Sequence, residues 1–355
     1  MRGRQILIQP LRGGGHAAAL VADGLLQDLL VDPAPDDPTP RPEAIHRAVA
    51  GRPMKGMGGV MLDLGAGRTG YLRTARPPAS GASLLVQVSG WAEPGKAPPV
   101  SERLLLKGRV AILTPGAPGA NIARGLRDPE RRAALAALAS AAMADAPADL
   151  GLILRSASEA APDAEIRAEI AELRAAWAGL AAGGRGGPDP ARPAPGARAE
   201  ALRDWRLPRD AQREDADALA PVADQIALLL QSRVALGAGS MAIEPTRALT
   251  AVDVDTGGDT SPAAALKVNL AAARDLPRQL RLRGLGGQIS IDFAPLAKAD
   301  RPRIEAALSA ALRGDGIDTT LAGWTPLGHL ELLRKRARRA FAITAARLDL
   351  DQPHV

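Results

Sequence analysis

Three aspartates are the residues of this chain best placed to do chemistry together. Ala251-Val-Asp-Val-Asp255 alternates apolar and acidic residues, and Ile289-Ser-Ile-Asp292 ends in another carboxylate. On a strand, residues i and i+2 share a face, so Asp253 and Asp255 project together while Val252 and Val254 face a core. Carboxylates converging at one sheet edge repel, and a hard cation relieves that repulsion. Mg2+ typically takes one or two protein carboxylates, with waters and phosphate oxygens completing its shell. Such an ion activates water and polarises a phosphodiester. Spacing alone leaves a second reading open, in which Asp253 and Asp292 merely cap nearby helices from strand ends.

The segment between the two acidic strands bears on that choice. Residues 262–283 predict a helix, capped by Ser261 and stopped by Gly284. Strand, helix and strand make one unit, and in open α/β sheets ligands sit at the carboxyl ends of parallel strands. Lys267, Arg274, Arg278 and Arg281 fall near one helical face, and Leu266, Leu270 and Leu280 on another. A charged face alone is usually just solvated. Beside an acidic edge it offers cations for a polyanionic strand and carboxylates for a metal.

Further elements follow from pattern. Residues 4–9, 17–22 and 25–31 read as strands, the last two joined at Asp23-Gly24, a pair suited to the positive φ angles of a tight hairpin. Residues 59–64, 70–73, 84–88 and 104–113 are short β-like runs at a spacing that suggests a small barrel. A helix opens at Asp128-Pro129-Glu130 and runs to about residue 144; residues 150–154 form a strand and 163–180 a helix. Residues 183–198, rich in Gly, Pro and Arg, cannot build a core and read as a flexible linker. Residues 211–232 look helical, 240–243 and 249–254 extended, 288–293 extended and 301–312 helical; 327–348 reads as one basic helix.

Composition sets the outer bounds. The chain has 355 residues, 46% of them hydrophobic, enough for two or three structural units. The net charge of +6 is compatible with a polyanionic partner. No cysteine is present, which excludes disulfides and thiolate zinc sites. His16, His46, His329 and His354 show no ligand spacing and read as surface or satisfied core residues. Without a signal-like start or a long apolar run, the expected location is cytoplasmic, with no membrane span.

These residues also carry a family resemblance. Ala251-Val-Asp-Val-Asp-Thr-Gly, Ala265-Leu-Lys-Val-Asn-Leu and, most specifically, Arg278-Gln-Leu-Arg-Leu-Arg-Gly-Leu-Gly-Gly-Gln-Ile-Ser-Ile-Asp-Phe resemble the core of ribonuclease E/G endoribonucleases. Leu236-Gly-Ala-Gly-Ser-Met-Ala-Ile-Glu-Pro and Leu327-Gly-His-Leu-Glu-Leu-Leu-Arg extend the likeness on both sides, and Leu62-Asp-Leu-Gly-Ala-Gly-Arg-Thr-Gly-Tyr resembles the family's S1 insert.

The resemblance implies an α/β multidomain fold. Residues 1–45 and 199–235 would be parts of a split ribonuclease H-like region, 46–110 an S1 (OB-type) β-barrel, 111–182 a 5′-sensor region, and 236–355 a DNase I-like α/β catalytic domain. It implies Mg2+-dependent cleavage of single-stranded RNA that leaves a 5′-phosphate and a 3′-hydroxyl, in RNA processing or decay. Asp253 and Asp292 would hold the metal, with Asp255 beside them where the family usually has Asn. Arg155 and Ser156 would receive the 5′-phosphate, Tyr71 would stack a base, and Lys267, Arg281 and Arg283 would contact RNA. Taken alone, Arg155 is a strand-end residue and Tyr71 could equally be core.

Several departures bear on these expectations. The missing cysteines remove the family's zinc link, so no zinc is expected and a homodimer lacks that bridge. Met61 stands at a second stacking position of the barrel. Asp255 adds charge at the metal site, and Pro277 interrupts the joining helix. An alternative is therefore a catalytically weak RNA-binding paralogue.

Overall fold

The computed structural model describes residues 3–348 apart from residues 55, 94, 185 and 238; His354 lies outside the described residues. The chain forms two compact units, one of residues 1–35 with 209–355 and one of residues 36–208.

In the first unit, Arg4–Pro10, His16–Ala22 and Leu25–Val31 form an antiparallel meander. The hairpin turn has φ of +48° at Asp23 and +80° at Gly24, as a type I′ turn requires. Gln212–Glu214 adds a fourth strand parallel to the first. Residues 211–232 are therefore not the expected single helix. Besides that strand they hold only short turns, among them Ala223–Ala227 and Leu228–Leu230. Pro221, which lacks an N–H, sits where a continuous helix would need one.

The second sheet of this unit has six strands. Ser240–Pro245 runs antiparallel to Thr250–Asp255, which is parallel to Gly287–Asp292. The helix Pro262–Leu282 joins that parallel pair. The last sheet strand to enter is Leu330–Arg334, antiparallel to both Gly287–Asp292 and Thr319–Trp324. Alternation fixes the register. Val252, Val254, Ile289 and Ile291 are buried with Val268, Leu276 and Leu280 of the helix, while Asp253, Asp255 and Asp292 are exposed. A slip of one residue would expose the valines and isoleucines and bury the aspartates. Each such aliphatic side chain contributes about 1.5–3 kcal/mol by burial, so the slip is strongly disfavoured.

The joining helix starts where the sequence indicates: the Ala264 N–H donates to Ser261 Oγ at 3.2 Å, with Pro262 in the first turn. It ends in a Schellman arrangement. Leu285 N donates to Leu280 O at 2.8 Å, Gly284 N donates to Arg281 O at 3.1 Å, and Gly284 has φ of +64°. Pro277 is buried inside this helix, which runs on past it to Leu282.

The expected basic helix over 327–348 is replaced by the strand Leu330–Arg334 and a short helix, Phe341–Thr344. Leu330 and Leu332 are buried whereas Leu333 is 58% exposed, a period of two that the run of basic residues masks.

The second unit contains a closed barrel. Its five strands are Ile45–Met54, Gly59–Gly65, Arg68–Arg73, Ser83–Val88 and Pro99–Ser101, and pairing of the first with Ser83–Val88 closes it. This is consistent with an OB or S1-like fold. A separate sheet holds Leu106–Lys107, Ala111–Pro115, Gly119–Ile122 and Leu150–Leu154, with the helices Pro129–Ala142 and Asp163–Ala182. The expected single strand at 104–113 is thus two strands outside the barrel, turning at Gly108. Their turn is held by Glu169, whose carboxylate accepts from the N–H groups of Arg109, Val110 and Ala111. The segment expected as a flexible linker contains the strand Asp189–Arg192, paired antiparallel to the first barrel strand, and leads into the helix Ala197–Asp204.

Candidate active site

Asp253 and Asp292 occupy the same register position on adjacent parallel strands. Neighbouring strands lie about 4.8 Å apart, so two carboxylates on one face come within reach of one ion. Both are exposed, and neither has a cationic Lys or Arg partner among the described residues. A hard cation fits such an uncompensated pair. No three His, Asp or Glu side chains form a ready-made metal cage among the described residues. Asp255 lies two residues beyond Asp253 on the same face, and its Oδ1 accepts from the Gly257 N–H at 2.8 Å.

Two features hold the chain just after Asp292, and neither was evident in the sequence. Asn269 of the joining helix is fully buried; its Nδ2 donates to Ala294 O at 2.9 Å, and its Oδ1 accepts from Ala294 N at 3.0 Å. Phe293 packs on Trp324 with ring centroids 5.9 Å apart, and the Arg301 guanidinium lies 4.4 Å over the Trp324 ring. Trp324 ends one strand of a hairpin whose turn presents His329. The His329 Nε2 stands 3.8 Å from Asp292 Oδ2.

The basic face of the helix divides. Lys267 and Arg274 are exposed, free to meet a polyanion. Arg278 is bound to Asp275 at 2.6 Å and donates to Leu26 O. Arg281 pairs with Asp315 and donates to Gln27 O at 2.7 Å. Arg283 is 7% exposed and donates to Leu229 O and Gln231 O at 2.7 and 2.6 Å. Arg281 and Arg283, expected to contact RNA, make internal contacts in this structure. Their donors satisfy carbonyls and a buried carboxylate instead. Asp315 also pairs with Arg334 at 2.6 Å, and both side chains are buried. Burial pushes the Arg334 guanidinium below its usual range, against the pull of Asp315.

In the second unit, Arg155 and Ser156 follow the strand Leu150–Leu154. Arg155 Nη1 donates to Gly108 O and Nη2 to Asp204 Oδ1, both at 2.7 Å. The fork expected to receive a phosphate is already engaged by protein acceptors. Ser156 Oγ accepts from Arg206, an exposed residue in the left-handed region at φ of +52°. Partial desolvation of its guanidinium, then the nearby charge of Arg155, lowers the pKa of Arg206. On the barrel, Tyr71 is half-buried on the outer face, directly across from Met61, and its hydroxyl donates to Met57 O at 2.6 Å. Leu72 and Val60 point the other way, into the barrel core, so Tyr71 is not a core residue. His46 is: it is buried, its ring meets Leu64 O at 3.2 Å, and burial lowers its pKa.

A model of the Ribonuclease E/G family matches residues 105–192 and 206–337, more than half of the chain. The chain belongs to the ribonuclease E/G family. Its relatives include ribonuclease E of Nostoc sp. (strain PCC 7120 / SAG 25.82 / UTEX 2576), 28% identical over 306 residues, covering 71% of this chain and 43% of the relative. Ribonuclease E of Synechocystis sp. (strain ATCC 27184 / PCC 6803 / Kazusa) is 29% identical over 296 residues, with 71% and 44% covered. Ribonuclease G of Salmonella typhimurium (strain SL1344) is 37% identical over 129 residues, with 34% and 26% covered. The chain spans less than half the length of these relatives. The ribonuclease E/G match takes in Asp253, Asp255, Asp292, His329, Arg155 and Ser156, while the barrel that carries Tyr71 precedes it.

Proposed function

We propose that this chain is a Mg2+-dependent endoribonuclease that cleaves single-stranded RNA, leaving a 5′-phosphate and a 3′-hydroxyl. The observation that carries this reading is the shared register position of Asp253 and Asp292 at the exposed carboxyl ends of two central, parallel strands. Family membership supports it.

Asp253 and Asp292 would hold the ion. A divalent cation there supplies positive charge that makes water acidic and neutralises the phosphate under attack. Asp253 and Asp292 aim that charge from two fixed strands. The Asn269 clamp and the Phe293–Trp324 contact keep the Asp292 segment in place. Lys267 and Arg274 supply exposed cations for the RNA backbone. Attack by water oxygen on phosphorus, in line with the bond to the 3′-oxygen, breaks that bond. The 3′-oxygen takes a proton and the phosphate stays on the 5′ side. Tyr71 offers a face on which any base can stack. Arg155, Ser156 and Arg206 would receive a terminal phosphate, which must displace both Asp204 and the Gly108 carbonyl from Arg155.

A second reading, a weak RNA-binding paralogue, is favoured by the internal pairing of Arg281 and Arg283 and by the extra charge of Asp255. One assay separates the two. A 5′-monophosphorylated single-stranded RNA is incubated with the protein, with Mg2+ or with EDTA, and the product ends are mapped. Internal cuts with 3′-hydroxyl ends in Mg2+ alone support the nuclease. Retention of RNA without cuts supports the paralogue.

A further inference from the structure

We propose that Arg301 binds an RNA phosphate beside the cleavage centre, gripping the strand next to the bond it presents to Asp253 and Asp292. The inference rests on the two-aspartate reading above. Arg278, Arg281, Arg283 and Arg334 all spend donors on protein acceptors. Arg301 does not. Among the described residues its guanidinium has no hydrogen bond and no ion pair, and its Nε is buried without an acceptor. The carboxylates nearest to it in sequence are engaged elsewhere: Asp300 pairs with Arg303, and Glu305 accepts from Trp324 Nε1 at 2.5 Å. Arg301 is partly exposed. A permanently charged fork that lacks an internal acceptor is suited to an anion from outside the chain.

Packing fixes where this fork stands. Arg301 is the first residue of the helix Arg301–Asp315. Its guanidinium carbon lies 4.4 Å from the ring centroid of Trp324, and Trp324 packs on Phe293, the neighbour of Asp292. Stacking uses the face of a guanidinium and leaves its N–H edge for acceptors. Arg301 Nη2 also lies 3.5 Å from where a Cβ on Gly328 would stand. The residue after Gly328 is His329, whose Nε2 is 3.8 Å from Asp292 Oδ2. Two chains of contact thus lead from the guanidinium to Asp292, one through Trp324 and Phe293 and one through the turn at Gly328. Phosphate is matched by the paired N–H donors of such a fork. Unlike Arg155, Arg301 has no protein acceptor that the phosphate must displace.

Binding of a short single-stranded RNA to the full chain in EDTA, followed against salt, tests this. Arg301→Met keeps an apolar stem on Trp324 and removes the charge. It should weaken binding roughly tenfold. The slope of log affinity against log salt should become shallower by about 0.7, the share of one phosphate contact on a single strand. Arg301→Lys should keep most of the slope. A single methylphosphonate, scanned along the RNA, should reproduce the loss at one position in the wild type and cost Arg301→Met nothing further there. Thermal unfolding checks that each variant is folded, and Arg301→Gln serves if the methionine variant is not. Wild-type affinity and slope in a folded variant without the charge would make Arg301 only a clamp on Trp324 and overturn the proposal. So would a methylphosphonate loss that persists in full in that variant at every position. RNA binding that depends on Arg301, with no cutting in Mg2+, would uphold the phosphate contact and sink the two-aspartate reading alone.

Discussion

Asp253 and Asp292 meet because two buried aliphatic pairs, Val252 with Val254 and Ile289 with Ile291, dictate which side of each strand is left for polar groups. That much is legible in the sequence, since alternation by two is a local pattern. Asn269 is not legible, because a buried amide on a helix looks like any other polar residue until its partner is known. Asn269→Leu leaves the N–H and C=O of Ala294 without partners in a buried setting. We expect a loss of roughly 2–4 kcal/mol in urea unfolding, and a weaker ion affinity because Asp292 is no longer held. A loss below about 0.5 kcal/mol would contradict the clamp. Arg283 makes the opposite point. The family resemblance implied an RNA contact for it, but in the structure it holds the carbonyls of Leu229 and Gln231. Arg283→Met should lower stability by roughly 1–3 kcal/mol and leave affinity for a single-stranded RNA, measured at fixed salt, within about twofold of the wild type. A selective loss of RNA affinity would return Arg283 to the substrate.

At the scale of elements, strands and helices with clean boundaries were the readable ones. The Asp23-Gly24 hairpin, the helix after Ser261 and the strand Leu150–Leu154 each carry a local signal: turn residues, a cap, a short apolar run. The strand Leu330–Arg334 was not readable, because Arg334 packs inward against Asp315 and breaks the apolar alternation. The inward Arg334 is compensated by a long-range ion pair with Asp315 that no local pattern encodes. Asp315→Ala should cost roughly 3–5 kcal/mol by leaving Arg334 buried without its counter-charge, read as a shift in denaturant midpoint. At the helix end, a Cβ on Gly284 would collide with the Arg339 carbonyl oxygen, at a φ that side chains avoid. Gly284→Ala should therefore destabilise by at least about 1 kcal/mol. A neutral result would mean that the loop after the helix yields.

For the whole molecule, family resemblance narrowed the candidate site where composition could not. The net charge of +6 fits a polyanionic partner, yet several of the arginines behind it are internal clamps. One such network sets a pH dependence. Burial alone would raise the pKa of Glu43 and Asp204, but hydrogen bonds and charge from Arg203 outweigh it and hold both below their ordinary values. Their contribution to stability is present above the ordinary carboxylate range and is lost as pH falls through the lowered values. The stability gap between the wild type and Glu43→Gln should be full at pH 7 and shrink as pH falls through the ordinary carboxylate range and below it; a gap constant with pH would contradict this. On the proposed reading, Asp253 and Asp292 act together on a phosphodiester. The most direct test of that reading is single-turnover cleavage of a 5′-monophosphorylated RNA in Mg2+ by wild type, Asp253→Asn and Asp292→Asn, at saturating protein. Each substitution keeps the shape and removes the charge, so each should slow cleavage by about 100-fold or more with RNA affinity unchanged. Cleavage by Asp292→Asn at the wild-type rate would contradict the account.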